Sequence, residues 1–218
     1  MMAENRYKDI VVLFDFDGVI SDTEHLYTKF WNVEGFKYLG IEDFGIKIKG
    51  QTFKHLSGYF TSKDDLEKAM HDIDEFERNM PYDLVPGIWD FLVELKEAGI
   101  PTAIVTSSHN KKMDNAWRVH PGLKEMVTTV LTSEDFSKSK PDPECFVKAM
   151  ERLGGRPERT IVFEDSLHGI QAGRDSGAFV VGLTTTFPAE KIGPLCDHVM
   201  PDFTGLTLES LTKILDIN

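Results

Sequence analysis

A small set of polar residues in this sequence can do chemistry, and each member follows an apolar stretch. Asp15 and Asp17 stand two residues apart after Ile10-Val-Val-Leu-Phe14. Thr106, Ser107 and Ser108 come at the end of Thr102-Ala-Ile-Val-Thr106 and just after it, and Lys140 lies beyond Thr128-Thr-Val-Leu131, in Lys140-Pro-Asp-Pro143. Glu164 and Asp165 follow Thr160-Ile-Val-Phe163. Four carboxylates gathered in one crevice repel one another unless a cation sits among them. Hard oxygen ligands suit Mg²⁺, which is commonly held by one or two carboxylates, water and substrate phosphate. A hydroxyl such as Thr106, with backbone N–H groups beside it, hydrogen-bonds phosphoryl oxygens as charge spreads over them. A metal-organised aspartate is a competent nucleophile whose acyl phosphate water can cleave. A second aspartate protonates the leaving oxygen and later takes a proton from the attacking water. The chemistry these residue types suit is metal-assisted phosphoryl transfer.

The elements that must position them follow from the pattern of apolar residues. Continuous apolar runs of this length read as strands covered on both faces, as in a parallel sheet, and Phe179-Val-Val-Gly-Leu183 is a fifth. Between them Ile88, Phe91, Leu92 and Leu95 share one helical face, closed by Gly99 and Pro101. Phe146, Ala149, Met150 and Leu153 share another, with Asp142 expected as N-cap, Pro143 in the first turn and Gly154 at the end. The alternation predicts an α/β fold with a doubly wound, mainly parallel sheet, in which reactive groups collect beyond the C-terminal strand ends. Between Thr23 and Leu84 no comparable strand occurs. Helices are expected near His25–Phe36 and Asp64–Met80, the latter with a thin apolar face of Leu66, Met70 and Ile73. Pro86-Gly87 marks the return. The expected division is a catalytic core of residues 1–22 and 85–218 and a helical cap of residues 23–84.

Composition narrows the partners. The 218 residues are 41% hydrophobic and 28% charged, ordinary for a globular chain. Lys plus Arg is 24 against 36 Asp plus Glu, a formal net charge of −12 that disfavours nucleic acid and anionic lipid. The same charge repels a phosphorylated substrate, so a local cation is required. Cys145 and Cys196 are far apart, which fits a reducing compartment without a structural zinc site. No apolar run approaches the roughly 18 residues of a membrane span, and a cytoplasmic location with no obligate protein partner is the expectation. Cys145, in the first turn of a helix, has a position that can lower a thiol pKa, but packing is the simpler role. Thr106 to Ser108 serve equally well as caps for a helix after Asn110. His109 reads as an exposed loop residue, and Tyr27, Trp31 and Phe36 as the interior of the cap.

Asp15-Phe-Asp-Gly-Val-Ile-Ser-Asp-Thr23 resembles the opening motif of the haloacid dehalogenase-like superfamily, in the subgroup of β-phosphoglucomutase and phosphoglycolate phosphatase. Val105-Thr-Ser-Ser108, Lys140-Pro-Asp-Pro-Glu-Cys-Phe146 and Phe163-Glu-Asp-Ser-Leu-His-Gly-Ile170 resemble the second, third and fourth motifs, in the family's order. The resemblance implies a Rossmann-like core with an inserted helical cap, and a small phosphorylated metabolite as substrate. It implies Asp15 as nucleophile and metal ligand, and Asp17 as acid/base with its carbonyl on the Mg²⁺. Thr106 and Lys140 would bind phosphate, Asp165 and Glu164 would complete the metal site, and Gly18, Ser107, Ser108, Lys49 and Gly50 would line the phosphate-binding region. Dehalogenases of this type lack the second aspartate, so Asp17 argues against that chemistry. In the mutase a basic residue three positions beyond a cap glycine grips a second phosphate; here Gly50-Gln-Thr-Phe53 puts an aromatic there, and Tyr27 replaces an early cap histidine. Hydrolysis is therefore the expected reaction, with a phosphomutase as the alternative and a non-catalytic sugar-phosphate sensor behind it.

Overall fold

The structure, a computed structural model, describes residue 7 and residues 9–48 and 56–214. The core is a six-stranded sheet of β1 (Val11–Phe14), β2 (Thr102–Val105), β3 (Thr129–Leu131), β4 (Thr160–Glu164), β5 (Phe179–Leu183) and β6 (His198–Met200). Its order is β3-β2-β1-β4-β5-β6, with every neighbouring pair parallel. The chain leaves β1 toward β2 and β3 on one side, then crosses back to β4 on the other. That reversal opens a crevice beyond the end of β1, where an open α/β sheet holds its ligands.

The strands are apolar throughout because both faces are covered. Val12 and Phe14 of β1 belong to one buried cluster, Val11 and Leu13 to the other. On the first face Phe14 stacks on Phe163 with centroids 5.2 Å apart, and Phe91 and Phe203 close the group at 5.8 Å from each other. On the second, Phe146, Ala149 and Met150 pack with Val105 and Val162.

Helices α1 (Glu24–Leu39), α2 (Phe44–Lys47) and α3 (Lys63–Asn79) precede the core helix α4 (Ile88–Glu97), and α5 (Asn110–Val119), α6 (Glu144–Leu153), α7 (Leu167–Asp175), α8 (Ala189–Ile192) and α9 (Leu208–Ile214) follow. The first three form the inserted helical cap, with an interior of Trp31, Phe44, Ile48 and Leu56. Phe36, expected inside the cap, is 60% exposed instead. The two chain crossings between cap and core are tied together: Asp22 N–H donates to the Asp83 carbonyl at 2.8 Å, and Val85 N–H to that of Ile20 at 3.0 Å. Among the described residues no helix is long and apolar enough to cross a membrane.

Two local expectations need correction. Pro143, not Asp142, is the N-cap of α6, and Asp142 Oδ1 accepts the Glu144 N–H at 3.0 Å from one residue further out. Strand β6 was not among the expected strands, because its three residues include His198 and are only partly buried at the sheet edge.

Burial pushes the Cys145 thiol up to about 11, an effect that the neighbouring Lys140 charge only partly opposes. The helix start therefore does not activate it. Iodoacetamide at pH 7.5 should leave Cys145 unmodified in the folded protein and alkylate it readily in denaturant, as followed by peptide mass spectrometry. Gly87, at the return from cap to core, has φ +78°, and a Cβ there would lie 2.5 Å from the Phe203 carbonyl group. Gly87→Ala should cost about 1–3 kcal/mol, through the strain of a positive φ and a backbone clash, read as a lowered Tm.

Candidate active site

Lys140 is the hub. Its ammonium, buried beyond the sheet, donates to Asp15 Oδ1 at 2.8 Å, to Glu164 Oε1 at 2.8 Å and to the Val105 carbonyl at 3.0 Å. One side chain from the loop before α6 thus ties together the ends of β1, β2 and β4. Burial alone would push Lys140 toward neutrality, but Asp15 and Glu164 more than reverse it and hold the ammonium charged. The other oxygen of Glu164 accepts Asp165 N–H and Ser166 N–H, each at 2.9 Å, and the Ser166 hydroxyl at 3.0 Å. Glu164 is therefore engaged on both oxygens. Asp165 accepts the Thr186 hydroxyl, and it abuts Gly18, where φ is +74° and an added Cβ would fall 1.9 Å from Asp165 Oδ2.

The electrostatics leave negative charge to be neutralised. Burial is the largest influence on Asp15; with Glu164 and Asp17 it outweighs Lys140 and raises the carboxyl to about 7. Asp165 is pushed well above the carboxylate range by burial and by Glu164 and Asp15. Ligand atoms of Asp15, Glu164 and Asp165 all lie within 4.8 Å of one another. A compact, buried, oxygen-only donor set with excess negative charge fits a hard divalent cation.

Asp17 lives in a different environment. Its Oδ1 accepts the Thr23 hydroxyl at 2.5 Å and the Lys112 ammonium at 2.6 Å; its Oδ2 accepts the Ser108 hydroxyl at 2.9 Å and Lys112 at 2.5 Å. Burial would raise its pKa, yet Lys112, Thr23 and Ser108 together hold the carboxyl below its ordinary value. The carboxylate stays ionised, the form that accepts a proton.

The sequence-predicted residues divide accordingly. Asp15, Lys140, Glu164 and Asp165 form one buried group; Asp17 and Ser108 adjoin it, and Gly18 backs Asp165. Thr106 is buried at the end of β2 and accepts the Ser108 N–H on its hydroxyl at 3.0 Å. Ser107 is exposed. Lys49 and Gly50, with Gln51, Phe53, Lys54 and His55, lie outside the described residues. The cap of α5 is His109, whose Nδ1 accepts the Lys112 N–H at 3.0 Å, rather than a hydroxyl of Thr106 to Ser108. Tyr27 turns from the cap toward the core, donating its hydroxyl to Glu77 at 2.8 Å with its ring 4.7 Å from Lys112 Nζ. Asp74, Glu77 and His109 form a second acidic group, but Lys111 sits 2.6 Å from Asp74 and Tyr27 already bonds Glu77. Lys112 itself escaped the sequence reading. The available signal was its place beside Met113 and one turn before Ala116 on the buried face of α5.

Comparison with known proteins places this arrangement. The model of the haloacid dehalogenase-like hydrolases matches residues 12–183. The validoxylamine A 7'-phosphate phosphatase of Streptomyces hygroscopicus subsp. limoneus is 30% identical over 212 residues, covering 89% of this chain and 94% of that protein. A putative pyrophosphatase PpaX of Clostridium perfringens is 32% identical over 221 residues, covering 94% and 95%. Among solved structures, a family IA, variant 3 HAD hydrolase from Entamoeba histolytica superposes with a TM-score of 0.82 at 23% identity, covering 95% of this chain and 99% of that one. With a matched span that contains Asp15, Thr106, Lys140, Glu164 and Asp165, the chain belongs to the haloacid dehalogenase-like hydrolase family.

Proposed function

We propose that the chain is a Mg²⁺-dependent phosphatase that hydrolyses a small phosphorylated metabolite through an aspartyl phosphate on Asp15. The observation that carries this reading is the contrast between two carboxylates two residues apart. Asp15 is gripped on one oxygen by Lys140 beside Asp165 and Glu164, whereas Asp17 is held ionised by a separate set of donors. A nucleophile and a proton-transfer group need such different surroundings.

In this reading Asp15, Asp165 and the Asp17 carbonyl would hold the Mg²⁺. Glu164, with both oxygens occupied, orients Lys140 and the loop of Asp165. The metal supplies neutralisation of charge on the transferring phosphoryl group. The Thr106 hydroxyl, nearby N–H groups and Lys140 contact the phosphoryl oxygens, with Gly18, Ser107 and Ser108 around them. A carboxylate oxygen of Asp15 bonds to phosphorus as the bond to the leaving oxygen breaks, and Asp17, once protonated, supplies that oxygen's proton. Water then attacks phosphorus and gives a proton back to Asp17, and Asp15 is regenerated as phosphate departs. The cap, residues 23–84, closes over the substrate and excludes bulk water.

A sugar or sugar-like phosphate is the favoured substrate class, supported by the name of the validoxylamine A 7'-phosphate phosphatase. Hydrolysis is favoured over mutase chemistry by the aromatic Phe53 where the mutase resemblance implies a basic clamp, and buried Glu77, an acidic side chain on the cap, supplies no substitute cation for a second phosphate. A cytoplasmic enzyme with two free thiols completes the reading.

Purified protein with Mg²⁺ and a panel of phosphorylated metabolites, including β-glucose 1-phosphate, should release inorganic phosphate; conversion to glucose 6-phosphate without release would replace this assignment with the mutase. Asp15→Asn should lower turnover by about 10³-fold or more. Removing divalent ions with EDTA should abolish phosphate release, and Mg²⁺ should restore it. Mg²⁺ should also raise the Tm of the wild type, because it neutralises the Asp15–Asp165 cluster, and should raise that of Asp15→Asn much less.

A further inference from the structure

We infer that Lys112 is a positioning residue that fixes the Asp17 carboxylate as the acceptor of the attacking water's proton; the inference rests on the phosphatase reading. The lysine is 4% exposed, and its ammonium has three hydrogens. Two are directed at the two oxygens of Asp17, at 2.6 and 2.5 Å, and the third at the Ser108 hydroxyl at 3.0 Å. Ser108 in turn donates to Asp17 Oδ2, and Thr23 to Oδ1. The carboxylate is thus held by the hinge, by the loop after β2 and by α5 at once. With both oxygens bonded, rotation about its side chain is arrested. The ammonium also lies over aromatic rings, with Nζ 4.7 Å from the Tyr27 ring centre and 5.9 Å from that of Phe16. A buried charge so fully matched to one carboxylate is a device for orientation, since taking both groups out of water brings little net stability.

The step it serves is the second half of the reaction. The oxygen of water bonds to phosphorus of the aspartyl phosphate, the bond from phosphorus to Asp15 breaks, and the electron pair returns to the Asp15 carboxylate. The proton lost by water goes to an oxygen of Asp17, which must face it. The first half with p-nitrophenyl phosphate makes no such demand, because nitrophenolate leaves without a proton.

Lys112→Met, which keeps the length and apolar packing of the stem, separates the two halves when assayed with p-nitrophenyl phosphate. Its kcat should fall about 100-fold. KM should fall in parallel, leaving kcat/KM within about threefold of wild type, since slow dephosphorylation lowers both constants equally. A burst of nitrophenolate of about one equivalent per enzyme and accumulation of phosphorylated protein by intact mass should accompany this. Lys112→Arg, which keeps the charge, should regain about a tenth of the wild-type kcat or more, and Lys112→Gln carries the same kcat and burst tests if the methionine variant does not fold. A kcat of Lys112→Met within about threefold of wild type would overturn the assignment. So would a loss of kcat/KM equal to the loss of kcat with no burst, the mark of a merely structural lysine. A wild-type enzyme inert toward every phosphomonoester, nitrophenyl phosphate included, would bring down the phosphatase reading itself and this inference with it.

Discussion

Lys140 is buried at the meeting point of three strand ends, and the fold around it is organised by the need to match that charge. A lone ammonium removed from water is prohibitively unfavourable, and so are the carboxylates around it. Together they are tolerable because each hydrogen of Lys140 meets an acceptor, two of them charged. Taking one partner from such a group typically costs about 3–5 kcal/mol, because the others are left uncompensated. The arrangement therefore demands that β1, β2 and β4 be neighbours with their ends level. The order β3-β2-β1-β4-β5-β6 supplies this, with Phe14 opposite both Ile104 and Phe163. The aromatic packing of Phe14, Phe91, Phe163 and Phe203 stabilises that register from beneath.

One lysine does not balance the cluster. Asp15, Glu164 and Asp165 bring three carboxylates to one ammonium, and burial and mutual repulsion raise both Asp15 and Asp165. The fold thus stores a local deficit of positive charge in a chain whose net charge is already −12. In the proposed function, a divalent cation and the backbone N–H groups would make a phosphate dianion welcome there. Asp17 escapes the deficit because a second lysine, from α5, bonds both of its oxygens. Neighbours on one strand end thereby acquire opposite character, one pushed up to about 7 and one held down.

How much of this was legible depended on where each residue sits. Asp15, Thr106, Lys140, Glu164 and Asp165 follow apolar runs or adjoin them, and a parallel sheet forces strand ends to converge, so type and spacing sufficed. Lys112 lies inside a helix, where a lysine normally reads as a solvated face. Its place beside Met113 and one turn before Ala116 was a weak signal, and the tertiary contact with Asp17 explains why it points inward. His109 does lie outside the helix with its side chain 45% exposed, as read, but its Nδ1 also closes the first turn of α5, a role that an uncommon cap residue does not advertise. The missed β6 is a partly buried edge strand and lacks the continuous apolar signature of the central ones. Phe36 shows the converse failure, an aromatic read by its type as cap interior that the packing leaves outside.

In the proposed enzyme the cap would set the remaining specificity, through what it presents to Asp17 and Lys112. Tyr27 and Glu77 are paired across α1 and α3, and Glu77 also faces His109 at 3.8 Å across the boundary with the core. Burial raises Glu77 despite the opposing charge of Lys112 and the Tyr27 hydrogen bond. A group on the substrate that entered this space would meet a hydroxyl, an imidazole and a carboxylate whose partners are already chosen, and would have to exchange hydrogen bonds with them. Hydroxyl groups make that exchange at little cost, whereas a second phosphate would place its charge against Glu77. In the proposed phosphatase, this buried, already partnered glutamate would thus act as a filter on the part of the substrate that does not react.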